Sequence, residues 1–142
     1  MSPGKFNYEE RHKYPHLIGE DTAVWTRFIS KFPDKFDTVD YDVKVGSGSN
    51  TESIPDQSSK NYWALLTKKR IDVIAHKNSF VTIIEVKKRA SLFTLGQILG
   101  YRFLYLREHP ELHMVKTLIV CESISQDDRD VLSHHGIDFL IA

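Results

Sequence analysis

The stretch Arg70-Ile71-Asp72-Val73-Ile74-Ala75-His76-Lys77-Asn78-Ser79-Phe80-Val81-Thr82-Ile83-Ile84-Glu85-Val86-Lys87 decides how the chain is read. It holds two strand-like runs, near 70–76 and 80–88, joined through Lys77-Asn78-Ser79. Asparagine suits the left-handed backbone that a tight hairpin needs. Residues two apart on a strand share a face, so Glu85 and Lys87 point the same way. With Asn78-Ser79 as a two-residue loop, Asp72 lies directly opposite Glu85, and directly opposed residues also share a face. That register gathers Asp72, Glu85 and Lys87, whereas a slip of one residue would scatter them. Phe80, Val81, Ile83, Ile84 and Val86 make the second strand apolar on both faces, as in the middle of a covered sheet. Charged groups in such a strand are costly unless they are paired or bind a metal.

On the amino-terminal side, Val24, Trp25, Phe28, Ile29 and Phe32 recur at helical spacing from Gly19 until Pro33 stops the run. Residues 38–45 alternate, with Val39, Tyr41, Val43 and Val45 expected on one face and Thr38, Asp40, Asp42 and Lys44 on the other. Residues 1–17, broken by Pro3 and Pro15, read as an arm. The segment 46–61, rich in Gly, Ser, Asn, Pro and Asp, reads as a long flexible loop. Tyr62 and Trp63 follow it and are read as core, with stacking on a splayed base as the sharper alternative.

On the carboxyl-terminal side, 92–107 reads as a helix capped by Ser91, with Leu92, Leu95, Leu99 and Phe103 on its buried stripe. Val115–Cys121 is a buried strand. Ser125 caps a further helix that Gly136 ends, and Ile137–Ile141 is a last short strand. The order α-β-β-β-α-β-α-β implies an α/β fold, a mixed sheet with helices packed on it. Residues 1–142 read as a single domain with no repeat and no linker.

Composition narrows the function. The chain is 41% hydrophobic and 27% charged, ordinary for a globular protein. Nineteen basic residues balance nineteen acidic ones, so nucleic-acid contact has to come from local clusters. Lys68-Lys69-Arg70 and Lys87-Lys88-Arg89 are those clusters, and Lys68, Lys69, Arg70, Lys88 and Arg89 are the candidate phosphate contacts. A single cysteine, Cys121, builds neither a disulfide framework nor a four-cysteine cluster. No segment has the ~20 apolar residues that span a bilayer, and no signal-peptide pattern opens the chain. The expectation is a soluble, intracellular, cytoplasmic protein with no membrane partner. The seven histidines form no zinc pattern: Pro15 and Pro110 interrupt the two pairs at helical spacing.

Two carboxylates and a lysine at one strand end meet a specific chemical need. Hard carboxylate oxygens hold Mg²⁺ or Mn²⁺ with its water shell, and the lysine orients water and stabilises developing charge. An ion pair between Asp72 and Lys87 is the structural alternative for either segment taken alone.

Asp72, a spacer of 12 residues and then Glu85-Val86-Lys87 resemble the PD-(D/E)xK nuclease superfamily. The order of elements from 19 to 121 resembles its restriction-endonuclease-like αβββαβ core. Ile71 stands where a proline is frequent in that superfamily. Gln97-Ile98-Leu99-Gly100-Tyr101 is similar to the Q-x-x-x-Y motif of RecB-like members, and its Gln and Tyr share a helix face.

The resemblance implies a Mg²⁺- or Mn²⁺-dependent deoxyribonuclease. Asp72 and Glu85 would be metal ligands, joined by the carbonyl of Val86, while Lys87 would position water and Gln97 and Tyr101 would support the site. It implies a further acid from the first helix, with Glu20 the first choice, Asp21 the second and His16 a third candidate. A domain of this size suits a homodimer on DNA, one that cuts both strands or holds a junction. The rival is a catalytically silent nucleic-acid-binding or assembly module that keeps the fold.

Overall fold

Why the chain folds around its hairpin follows from the register that the hairpin adopts. The structure, a computed structural model, describes residues 3–48 and 52–142, and within the helix at 57–67 it describes no side chains for 64–67. Strands β3 (Lys69–Lys77) and β4 (Phe80–Ala90) pair antiparallel with Lys77 opposite Phe80, Ile74 opposite Ile83 and Val73 opposite Ile84. Asn78 takes the left-handed conformation (φ 54°) at the turn. This is the register expected from a two-residue loop, and it continues toward Asp72 and Glu85.

Four more strands complete one sheet in the order β1-β2-β3-β4-β5-β6. They are β1 (Phe6–Asn7), β2 (Thr38–Val45), β5 (Lys116–Ile124) and β6 (Asp138–Ile141). The pairs from β1 to β4 are antiparallel, whereas β4-β5 and β5-β6 are parallel. Helices cover both faces. Val24, Trp25, Phe28 and Ile29 of α1 (Gly19–Lys31) pack on Val73, Ile84, Val86 and Val120. On the other face, α3 (Leu92–Glu108) and α4 (Gln126–His134) cover Ile74, Ile83 and Ile119. Ser91 and Ser125 cap these two helices as expected, and left-handed Gly136 (φ 68°) ends the second.

Four local expectations need correction. The arm at 1–17 is not free: Phe6–Asn7 adds an edge strand, and Tyr8, Tyr14 and Leu17 are buried in the core. The hydroxyl of Tyr8 donates to the Phe32 carbonyl at 2.7 Å. Gly4 is needed there, because a Cβ would stand 2.6 Å from the carbonyl oxygen of Val39. In the segment expected as a loop over 46–61, residues 49–51 lie outside the described residues, and helix α2 (Gln57–Thr67) begins at 57. Asp56 caps it by accepting from the Ser59 amide at 2.9 Å. Such short polar caps are hard to tell from loop composition.

The buried stripe of α3 is Thr94, Leu95, Ile98, Tyr101 and Tyr105, while Leu92 and Phe103 are exposed. This helix is apolar on more than one side, so periodicity under-determines its rotation. Lastly, β2 does not keep one face. Val39 and Tyr41 pack under α1, but Val43 and Val45 pack under α3. The switch falls at Asp42, which has a left-handed backbone (φ 54°).

Left-handed backbone costs a β-branched residue far more than Asn or Gly. Asp42→Val is expected to lose about 1–3 kcal/mol of unfolding free energy. Asp42→Gly should lose clearly less. Chemical denaturation of the two variants beside the parent chain measures the difference.

Candidate active site

The functional side chains gather where β3 and β4 part. The last paired residues of that ladder are Val73 and Ile84. One step further, each strand's acid accepts the other strand's amide. The Val86 N–H donates to Oδ2 of Asp72 at 3.0 Å, and the Asp72 N–H donates to Oε1 of Glu85 at 3.3 Å. The two carboxyls thus replace the ladder and satisfy donors that would otherwise be orphaned in a dry sheet.

Both acids are buried, Glu85 to 1% residual exposure. Burial, and then the charge of Asp72, pushes the Glu85 carboxyl up to about 9. Burial also raises Asp72, against the opposing pull of the Val86 amide and Lys87. Nζ of Lys87 lies 3.9 Å from Oε2 of Glu85, so the lysine leans on the glutamate rather than forming the Asp72 ion pair that sequence alone allowed.

Helix α3 supplies the opposite wall. Nε2 of Gln97 donates to the hydroxyl of Tyr101 at 3.4 Å, and Oε1 of Gln97 is buried without a partner. Burial, and then the charge of Glu85, raises the Tyr101 hydroxyl above its usual range. Asp72, Glu85 and Lys87 therefore come together, while Gln97 and Tyr101 bond each other on α3, where the Tyr101 hydroxyl feels the charges of Glu85 and Asp72.

The others are placed as follows. Glu20 lies out on the surface, bonded to Nζ of Lys88 at 2.8 Å. Asp21 accepts from the Lys88 amide at 3.0 Å, and its charge is felt at Asp72. Of the two acids in that turn, Asp21 is the one whose charge reaches Asp72. Val86 follows Glu85 on β4, is fully buried and donates its amide to Asp72. Arg70 pairs with Asp42 at 3.6 Å and lies 3.4 Å from Nδ1 of His16. Lys68, Lys69 and Arg89 have no carboxylate partner among the described residues.

Asp42 is the residue that no sequence signature marks. The pairs Tyr41–Val73 and Val43–Ile71 flank it, which sets it opposite Asp72 on the neighbouring strand. Its Oδ1 is buried without a hydrogen bond. Only the strand register reveals it.

Among the described residues, no three His, Cys, Asp or Glu side chains gather into one metal-binding group. The site offers a carboxylate pair, which fits a hard divalent cation that keeps most of its water and takes one or two protein carboxylates. Two acids forced together with one lysine also carry excess negative charge once ionised, which a cation relieves.

Neither a protein-family model nor a curated protein matches the sequence. Solved structures do. One is described as an EndoMS–dsDNA2 complex, with a TM-score of 0.51 and 14% identity over 93% of this chain. Another is a repair endonuclease from Pyrococcus abyssi, with a TM-score of 0.52 and 15% identity over 92% of this chain. The chain spans about half the length of these structures, 48% and 49% respectively. At such identity the likeness shows the fold, and the chain has the restriction-endonuclease-like α/β fold.

The raised carboxyl of Glu85 sets a pH dependence. A group that holds its proton more tightly when folded contributes fully below its unfolded value, and that contribution is lost as pH rises through the folded value. For Glu85 the window runs from the ordinary 4.5 to about 9. Without divalent metal, the Tm of the parent chain should therefore fall across this window, with the slope much reduced in Glu85→Gln. At pH 8 that variant should gain about 1–2 kcal/mol, or roughly 3–8 °C. Thermal melts in chelator at several pH values measure this.

Proposed function

We propose that this chain is a metal-dependent nuclease that hydrolyses phosphodiester bonds in DNA. The observation that carries the reading is the buried Asp72–Glu85 pair, with Lys87 on the same strand end, in a fold whose solved neighbours include a repair endonuclease. Asp72 and Glu85, with the carbonyl of Val86, are the groups that would hold Mg²⁺ or Mn²⁺. Such an ion supplies Lewis acidity, neutralising charge on the scissile phosphate and acidifying bound water.

The chain's own residues supply the rest. Lys87 orients the attacking water and stabilises charge that develops on phosphate oxygen. Its position against Glu85 keeps the ammonium aimed into the site. Gln97 has an unsatisfied buried carbonyl oxygen, an acceptor for water or for a substrate hydroxyl, and its amide holds the Tyr101 hydroxyl. Asp21 adds a negative group from α1 whose charge is felt at Asp72. Lys68, Lys69, Arg70, Lys88 and Arg89 flank this strand end and supply phosphate contacts, which compensate for a chain of zero net charge.

Cleavage of linear, circular, single-stranded and branched DNA with Mg²⁺ or Mn²⁺ tests the reading. The parent chain should cut at least one of these, and Glu85→Ala and Lys87→Ala should each lose about 100-fold or more in rate. Equal cleavage by parent and variants removes this site from the chemistry. Binding without any cleavage supports the silent module instead.

A further inference from the structure

Helix α3 has a second apolar face, turned away from the sheet. Phe93, Gly96, Gly100 and Phe103 recur at steps of three and four, so they line one side of the helix. That side lies opposite Ile98 and Tyr105, which pack in the core. Phe93 is 75% exposed and Phe103 64% exposed, and Leu92 beside them is exposed as well. The guanidinium of Arg107 lies 5.6 Å from the centre of the Phe103 ring, at the far end of the same face.

The fold of a single chain gives no reason for the two glycines. Glycine inside a helix is costly, because it surrenders the most backbone freedom on folding. Neither Gly96 nor Gly100 has a positive φ, so no left-handed turn requires them. Packing does not require them either, since a Cβ built on either one meets nothing within 4 Å. Missing side chains on a helix face allow the backbone of another helix to come close. Large apolar rings left in water at both ends of that gap mark the face as a contact surface.

The pattern also selects the partner. Phe-x-x-Gly-x-x-x-Gly-x-x-Phe reads the same from either end, with Ile98 at its centre. A second α3 laid antiparallel on the first sets Phe93 against Phe103 of the other copy and Gly96 against Gly100, twice over. Self-matching of this kind is what a two-fold interface requires, where one patch serves both subunits. Residues 92–101 carry no charge, so two copies meet without like-charge repulsion, and this stretch offers no cation to a phosphate backbone.

We propose that the outward face of α3 is the interface of an antiparallel homodimer. The exposed parts of its four phenylalanine rings amount to roughly 550 Å². That is about a third of a standard interface, so the dimer has roughly micromolar strength and dissociates on dilution. The pairing holds whether or not the chain cuts DNA.

Sedimentation velocity of the full chain from roughly 1 to 100 µM should show monomer giving way to dimer. Gly96→Gln and Gly100→Gln each place a side chain where the monomer has room. Their Tm should hold or rise, while the dimer Kd weakens about tenfold or more. Oxidising Phe93→Cys chains mixed with Phe103→Cys chains should give a disulfide-linked pair. Phe93→Cys alone should not, because its two copies would stand roughly 15 Å apart along the helices. The native Cys121 is buried and does not compete.

A monomer throughout the range overturns the proposal and leaves the face to a different protein. A dimer that both glycine variants leave intact, or that Phe93→Cys alone crosslinks, overturns it too. None of these readouts involves cleavage, so the nuclease reading stands or falls separately.

Discussion

Two carboxylates sit side by side in a nearly dry sheet, and much of the molecule is arranged around that expense. Asp72 and Glu85 lie where the β3–β4 ladder has just ended, and each accepts an amide that the ladder no longer pairs. Burial makes ionising both acids unfavourable, and together with the charge of Asp72 it raises the Glu85 carboxyl. In the proposed function, a divalent cation held by these two carboxylates would relieve their repulsion. The same feature explains why the pair stands at the edge of the core and not in its middle. There the amides need partners, yet Lys87 and solvent remain within reach.

The surrounding fold holds that pair in register. β4 is flanked by β3 on one side and β5 on the other, and α1 and α3 cover its faces. A slip at the hairpin would move every side chain of β4 to the wrong layer, so the apolar run that buries the sheet also fixes the geometry of the acids. α3 contributes twice. Its sheet-facing side closes the core through Leu95 and Ile98, and one turn of it joins Gln97 to Tyr101, whose hydroxyl feels the charge of Glu85. Packing and chemistry share a single helix rotation.

Around this centre, charge is spent locally. The chain is neutral overall, yet Lys68, Lys69 and Arg89 have no carboxylate partner among the described residues. Arg70 is held by Asp42, in whose left-handed backbone β2 changes face. Asp42 and His16 are both non-glycine residues with positive φ, their side chains are 3.9 Å apart, and Asp42 is opposite Asp72. Strain of this kind concentrates where function constrains the backbone.

Much of this was legible in the residues alone. Asn78 at the turn and the run Phe80–Val86 determine the hairpin, and with it the juxtaposition of Asp72 and Glu85, because a two-residue loop leaves one register. Ser91, Ser125 and Gly136 announce their helix ends through local hydrogen bonding and backbone freedom. Tertiary structure decided what depends on non-local contacts. The rotation of α3 follows from which of several apolar faces packs best, the reach of the Asp21 charge to Asp72 from how α1 docks, and the place of Asp42 from a conformation that no residue pattern declares. The exposure of Tyr62 and Trp63 belongs with these, since an aromatic pair reads as core until the sheet it would have to cover proves to be covered already.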